Sequence, residues 1–139
     1  MELSDGIAFA RTRGQGVLVT RRRDGRPQLS NIVYAMATDG LARISLTEDR
    51  AKTKNLRRDP ACSLYVPGDD FWSYVVLDGT SSLSGVARSP DDEVVEELVA
   101  LYRTIRNGEH PDWDEYRRVM VEEHRLVARF HPTHAYGIA

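Results

Sequence analysis

The chain has 139 residues, of which 41% are hydrophobic and 29% charged, with a net charge of −2; this fits a single soluble domain spanning 1–139 and excludes general electrostatic binding to nucleic acid. Its one cysteine, Cys62, excludes an internal disulfide or a cysteine-based zinc cluster and points to a reducing cytoplasm. Met1-Glu2-Leu3-Ser4-Asp5 has neither the basic start nor the apolar core of a signal peptide, and no run reaches membrane-spanning length, so secretion and membrane insertion are not expected.

In chain order, Leu3 to about Arg13 reads as a short helix with Leu3, Ile7 and Ala10 on one side, suited to lying as a lid on a sheet. Gly16 to Thr20 is a strand, and Asp24-Gly25 supplies the positive-φ residue of a tight turn. A second strand is expected from Gln28 to about Thr38. There Leu29, Asn31, Val33 and Ala35 alternate with Gln28, Ser30, Ile32 and Tyr34, so Asn31 is expected on a face with core-type residues, as a structural bracket or a ligand contact. After the Asp39-Gly40 turn, Arg43, Ser45 and Thr47 alternate with Ala42, Ile44 and Leu46, giving a strand with one polar and one apolar face.

A short helix follows that strand, with Thr47 or Asp49 as its cap, and Asp59-Pro60 closes it. Arg50 and Lys52 fall at its beginning, where the helix dipole disfavours positive charge unless an anion offsets it. A phosphate would do so, accepting hydrogen bonds from the helix start, the guanidinium and the ammonium, with Ser45 and Thr47 adding hydroxyls. A solvated basic helix neutralised by Glu48 and Asp49 is the alternative. Lys54, Arg57 and Arg58 lie near the C-terminal end, where the dipole favours them, and need no functional explanation.

Strands at Ala61–Val66, Trp72–Leu77 and Thr80–Val86 come next, and six strands with tight turns suggest an antiparallel barrel or sandwich. A helical insertion is expected at about 89–123. Its first helix is capped by Ser89 with Pro90 at the first position, and Val94, Val95, Leu98, Leu101, Tyr102 and Ile105 form its stripe. A second helix runs from about Asp112 to Glu123, and a last strand from Arg125 to Phe130 leads into an extended tail. His110, His124, His131 and His134 do not form a zinc-type set. Nucleophile elbow, P-loop and dinucleotide fingerprint are all missing, and Cys62 sits in an apolar strand as a core residue.

A domain with a phosphate-like site and no evident acid, base or nucleophile suits chemistry carried by a bound cofactor. Asp24-Gly25-Arg26-Pro27 and Gln28-Leu29-Ser30-Asn31, followed by Arg50-Ala51-Lys52-Thr53 and the run to Asp59-Pro60, resemble the split β-barrel family of flavin and deazaflavin proteins founded on pyridoxamine 5′-phosphate oxidase. With Trp72-Ser73-Tyr74 and His110-Pro111-Asp112-Trp113, the chain is most similar to the small actinobacterial branch that uses the deazaflavin coenzyme F420.

The resemblance implies a mainly β fold with peripheral helices, and a homodimer whose two cofactor sites lie at the subunit interface. It implies that Arg50 and Lys52 hold the cofactor phosphate, that Ser45 and Thr47 border its ribityl-phosphate portion, and that Pro27, Gln28 and Asn31 border its ring system. Trp72 either closes the pocket from the partner chain or packs in the core or interface. The implied activity is hydride transfer between F420 and a small organic acceptor. An FMN protein of the same fold and a non-catalytic F420 carrier are the alternatives. No Arg-rich segment like that of the true pyridoxamine phosphate oxidases is read after the last expected strand, so that specific activity is not expected, while FMN binding stays open.

Overall fold

A computed structural model describes residues 1–139. Seven antiparallel strands form one curled sheet: β1 (Gln15–Arg21), β2 (Pro27–Val33), β3 (Ala35–Met36), β4 (Ala42–Thr47), β5 (Ala61–Pro67), β6 (Tyr74–Leu83) and β7 (Arg125–Ile138), in the order β2-β1-β5-β6-β7-β4-β3. Four helices accompany them: α1 (Leu3–Arg11), α2 (Ala51–Arg58), α3 (Glu93–Arg106) and α4 (Trp113–Glu122).

The edge strands β2 and β3 are joined through the single residue Tyr34, so the sheet must curl until its two edges meet. The expected strand from Gln28 to Thr38 therefore breaks at Tyr34. Tyr34 is buried, its hydroxyl donates to the Ala10 carbonyl at 2.7 Å, and its amide donates to the Gly14 carbonyl at 2.9 Å. These bonds fasten the seam to α1, which lies over β6 and β7 with Gly6 against Ala135 and Leu77, as the lid expected of it. Burial raises the Tyr34 phenol well above the ordinary tyrosine range.

Inside the curl, Leu18, Ile32, Ile44, Leu46, Leu64, Val66, Val75, Leu77, Leu126 and Phe130 form the main core. The strand alternation places them there, with Ala42, Ile44 and Leu46 inward and Arg43, Ser45 and Thr47 outward on β4. Cys62 belongs to this core. Burial pushes its thiol up to about 11, and Ser81 lies 3.2 Å from its sulfur.

The last strand runs past the expected end at Phe130 to Ile138. A bulge makes this possible: Asp78 pairs with His134 while Gly79 pairs with Pro132, so the proline falls where the ladder is already irregular. A Cβ at Gly79 would overlap the His131 carbonyl, so only glycine fits there.

The helical pair α3–α4, inserted between β6 and β7, covers the outer face of β4 and the first half of β7. Val94, Val95, Leu98, Val99 and Met120 pack there on Val127 in a second, smaller core. Glu97 is clamped between Arg43 (3.1 Å) and Arg129 (2.8 Å), and the Arg129 contact holds its carboxyl below the usual range. The expected Ser89 cap is not used. Asp92 is the N-cap, and its carboxylate accepts from the Arg88 and Ser89 amides at 2.7 and 2.9 Å. A charged acceptor holding two amides outcompetes a hydroxyl, so residues 89–92 form a turn.

The outer face of the other half of the sheet is uncovered. Leu29 (60% exposed), Val33 (48%) and Ile138 (64%) stand on it, with Val17, Val19, Tyr65 and Tyr136 between them. Asn31 shares this face. The expectation that it lies with core residues is wrong: Leu29 and Val33 supply the apolar alternation, but they point outward and the core side carries Ser30 and Ile32.

Candidate functional site

The basic cluster is built where β4 hands the chain to α2. Arg50 donates its amide to the Thr47 carbonyl at 3.3 Å, and Glu48 to the His124 carbonyl at 3.1 Å, which docks the turn against the start of β7. Two buried polar residues then seat the helix. The Thr53 hydroxyl donates to the Thr47 carbonyl at 2.7 Å, and the Asn55 amide donates to the Thr20 hydroxyl on β1 at 3.1 Å. Arg58 is used structurally as well, on the Arg21 carbonyl and the Asn55 side chain. Asn55→Ala is expected to cost about 1–3 kcal/mol, because Thr20 loses its partner at a buried site; urea denaturation measures this.

Neither expected cap serves α2. The N-cap is Arg50, in extended conformation, and no side chain bonds the first-turn amides. Asp49 is instead held by the Thr47 hydroxyl at 2.9 Å, a contact that keeps its carboxyl below the ordinary range. The helix start is thus left with free N–H donors and no carboxylate in its first turn.

Arg50 and Lys52 stand at this open end, and neither side chain makes an ion pair or a hydrogen bond within the chain. Lys52 is half-buried. Desolvation lowers its ammonium below the ordinary lysine value of 10.5, with further lowering from Arg50 and Arg125. A cation held out of water beside two other cations is unfavourable in isolation and favourable around an anion. Thr47 pairs with Arg125 across β4 and β7, and the Arg125 guanidinium lies 3.4 Å from the Ser45 hydroxyl. Thr47, Arg50 and Arg125 line an open cleft of about 560 Å³ together with Glu48, Asp49, Glu122, Glu123 and His124, so carboxylates outnumber guanidinium groups along it.

The structure therefore brings together Arg50, Lys52, Ser45 and Thr47. It does not gather the other expected site residues around them within one chain. Pro27 and Gln28 begin β2 beside α2, where Gln28 pairs with Thr20, and Pro27 lines a separate groove of about 420 Å³ with Ser63 and Asp78. Asn31 lines a third hollow with Val17 and Pro67. Trp72 is 74% exposed, edge-on to Phe71, in the β5–β6 turn near Ile138, at the far end of β7 from Arg125. Arg125 is the residue that sequence reasoning missed. Its only sequence signal is a basic side chain opening a strand, and its relevance depends on a contact 80 residues away.

A curled antiparallel half-barrel with an anion-ready helix start beside its fourth strand has relatives of the same build. The sequence model of the family described as pyridoxamine 5′-phosphate oxidase matches residues 8–137. The chain belongs to the pyridoxamine 5′-phosphate oxidase family. Solved structures within the same fold include a conserved hypothetical protein from Mycobacterium tuberculosis, 22% identical, covering 99% of this chain and 84% of that one with a TM-score of 0.75. An F420 reductase is 20% identical over 91% of this chain and 92% of its own, with a TM-score of 0.63. A haem storage protein from Vibrio cholerae is 19% identical, with 99% and 95% covered and a TM-score of 0.68. At these identities the likeness is one of fold, so this pyridoxamine 5′-phosphate oxidase-family barrel is shared by proteins of different cofactors. No helix of the chain is long and apolar enough to cross a membrane.

Proposed function

We propose that this protein is an F420-dependent oxidoreductase that moves a hydride between the deazaflavin and a small organic acceptor. The observation that carries the reading is the half-buried, unpaired Lys52 beside Arg50 at an uncapped helix start, a donor set suited to a phosphate. Family membership and the shared fold of an F420 reductase support it.

When bound, the deazaflavin supplies the hydride chemistry. Lys52, Arg50 and the first-turn amides of α2 hold its phosphate, and Ser45, whose hydroxyl proton is uncommitted, donates beside it, while Thr47 borders it with its hydroxyl given to Asp49. Their task is binding and orientation, which fits a site without a protein nucleophile. Pro27, Gln28 and Asn31 border the ring. Because Asn31 and Trp72 lie apart from the basic cluster in one chain, the complete site requires a homodimer, joined through the open outer face with Trp72 closing the partner's pocket. The lone reduced cysteine suits a cytoplasmic setting.

The test is to mix the protein with reduced F420 and a panel of electron-poor alkenes and conjugated rings, following reoxidation. Saturable, stoichiometric turnover of one acceptor is the expected result. Tight F420 binding with no turnover would make the protein a carrier, and turnover with FMN alone would move it to the flavin-dependent members.

A further inference from the structure

Arg125 enters the basic cluster from a different strand and faces two ways. Its Nε donates to the Glu123 carboxylate at 2.9 Å, while Nη1 reaches the Ser45 hydroxyl at 3.4 Å, a long contact that satisfies it poorly. It lies close enough to Lys52 to help lower that ammonium, and it lines the same cleft as Thr47 and Arg50. The Glu123 pair is local, two residues away along the chain, and leaves the Nη1 side of the guanidinium with only the long contact to Ser45 on β4. A guanidinium aimed at the hydroxyl of the phosphate-facing strand, with two unpaired cations beside it, is placed for an anion.

We propose that Arg125 is a third binding residue for the cofactor phosphate, shared between Glu123 and the anion. The inference rests on the phosphate reading of Arg50 and Lys52. Guanidinium geometry allows both partners at once, since Nε is held by Glu123 while Nη1 is directed to Ser45 and keeps a proton for a further acceptor. Glu123 then acts against binding: it supplies a competing acceptor and a negative charge in the same cleft. Arg125 and Glu123, although joined to each other, have opposite effects on affinity.

That opposition gives the test. Full-length Arg125→Ala, Arg125→Lys, Glu123→Gln and Lys52→Ala proteins are titrated with F420, FMN, riboflavin and inorganic phosphate, by cofactor fluorescence and calorimetry. Arg125→Ala is expected to weaken the phosphate-bearing cofactor by about tenfold or more while leaving riboflavin unchanged. Arg125→Lys is expected to recover part of the loss, and Glu123→Gln to tighten binding by about threefold. A brace broken from either side would instead shift both variants the same way, and that result overturns the proposal. Weakening in Lys52→Ala with none in Arg125→Ala overturns it while leaving the phosphate site standing. No effect in Lys52→Ala removes the phosphate reading and this inference with it. Glu123→Gln and Arg125→Lys keep the test decisive should Arg125→Ala fail to fold.

Discussion

Lys52→Ala is expected to weaken binding of the phosphate-bearing cofactor by about 1.5–3 kcal/mol, the worth of a hydrogen bond to a charged group, while leaving thermal stability unchanged or slightly raised. The two effects differ in direction because the empty site is frustrated. Lys52 forms no ion pair, is partly desolvated, and meets the fields of Arg50 and Arg125. Its charge therefore costs the empty fold something and gains only when an anion arrives. Arg57→Ala serves as the control, since Arg57 is exposed at the helix end where the dipole favours it.

The same frustration fixes a pH dependence. The folded ammonium titrates below its unfolded value, so between the two the unfolded chain binds more protons, and this group's contribution to stability rises with pH. A bound anion favours the charged form, so binding takes up a proton once Lys52 has begun to deprotonate. Affinity is expected to fall as pH climbs through the lowered lysine value toward 10.5, and titrations in a pH series would record it. In Lys52→Ala this alkaline loss should disappear. A mutant that loses stability but keeps its affinity would make Lys52 a structural residue.

Val33→Asp is expected to abolish the proposed homodimer while sparing the folded protomer. Val33 is half-exposed at the outer face beside Leu29 and Asn31, so an aspartate there remains hydrated in the isolated chain. In a two-fold interface through this face the carboxylate would be buried twice, at several kcal/mol each, enough to shift association by more than about a hundredfold. Sedimentation velocity at micromolar concentration would find a monomer with an unchanged circular dichroism spectrum. Cofactor affinity should fall with it, because the ring-side residues and Trp72 then have no partner chain to complete. A dimer that survives Val33→Asp would place the interface elsewhere.

Much of this architecture was legible in local patterns. Gly25 and Gly40 both adopt the positive φ that their Asp-Gly turns demanded, and the β4 alternation sorted Ser45 and Thr47 from Ile44 and Leu46 as found. The anomaly of Arg50 and Lys52 was visible because a helix dipole is a local property. What escaped was set by distant partners. Tyr34 ends β2 because its hydroxyl and amide are claimed by α1 and Gly14, and periodicity carries no trace of that. Asn31 was assigned to the wrong side because Leu29 and Val33 form an apolar set that resembles a core face, although it faces out. Asp49 looked like a cap, but Thr47 holds its carboxylate. Arg125 could not be found at all without the β4–β7 register.

The proposed role of Arg50 and Lys52 is to hold the phosphate of a bound deazaflavin. It is tested most directly by titrating the purified protein with oxidised F420 and, separately, with FMN, following cofactor fluorescence at fixed salt. Micromolar binding of F420 with much weaker binding of FMN is the predicted result. Preference for FMN would contradict the deazaflavin assignment while keeping the phosphate site, and binding of neither would contradict both.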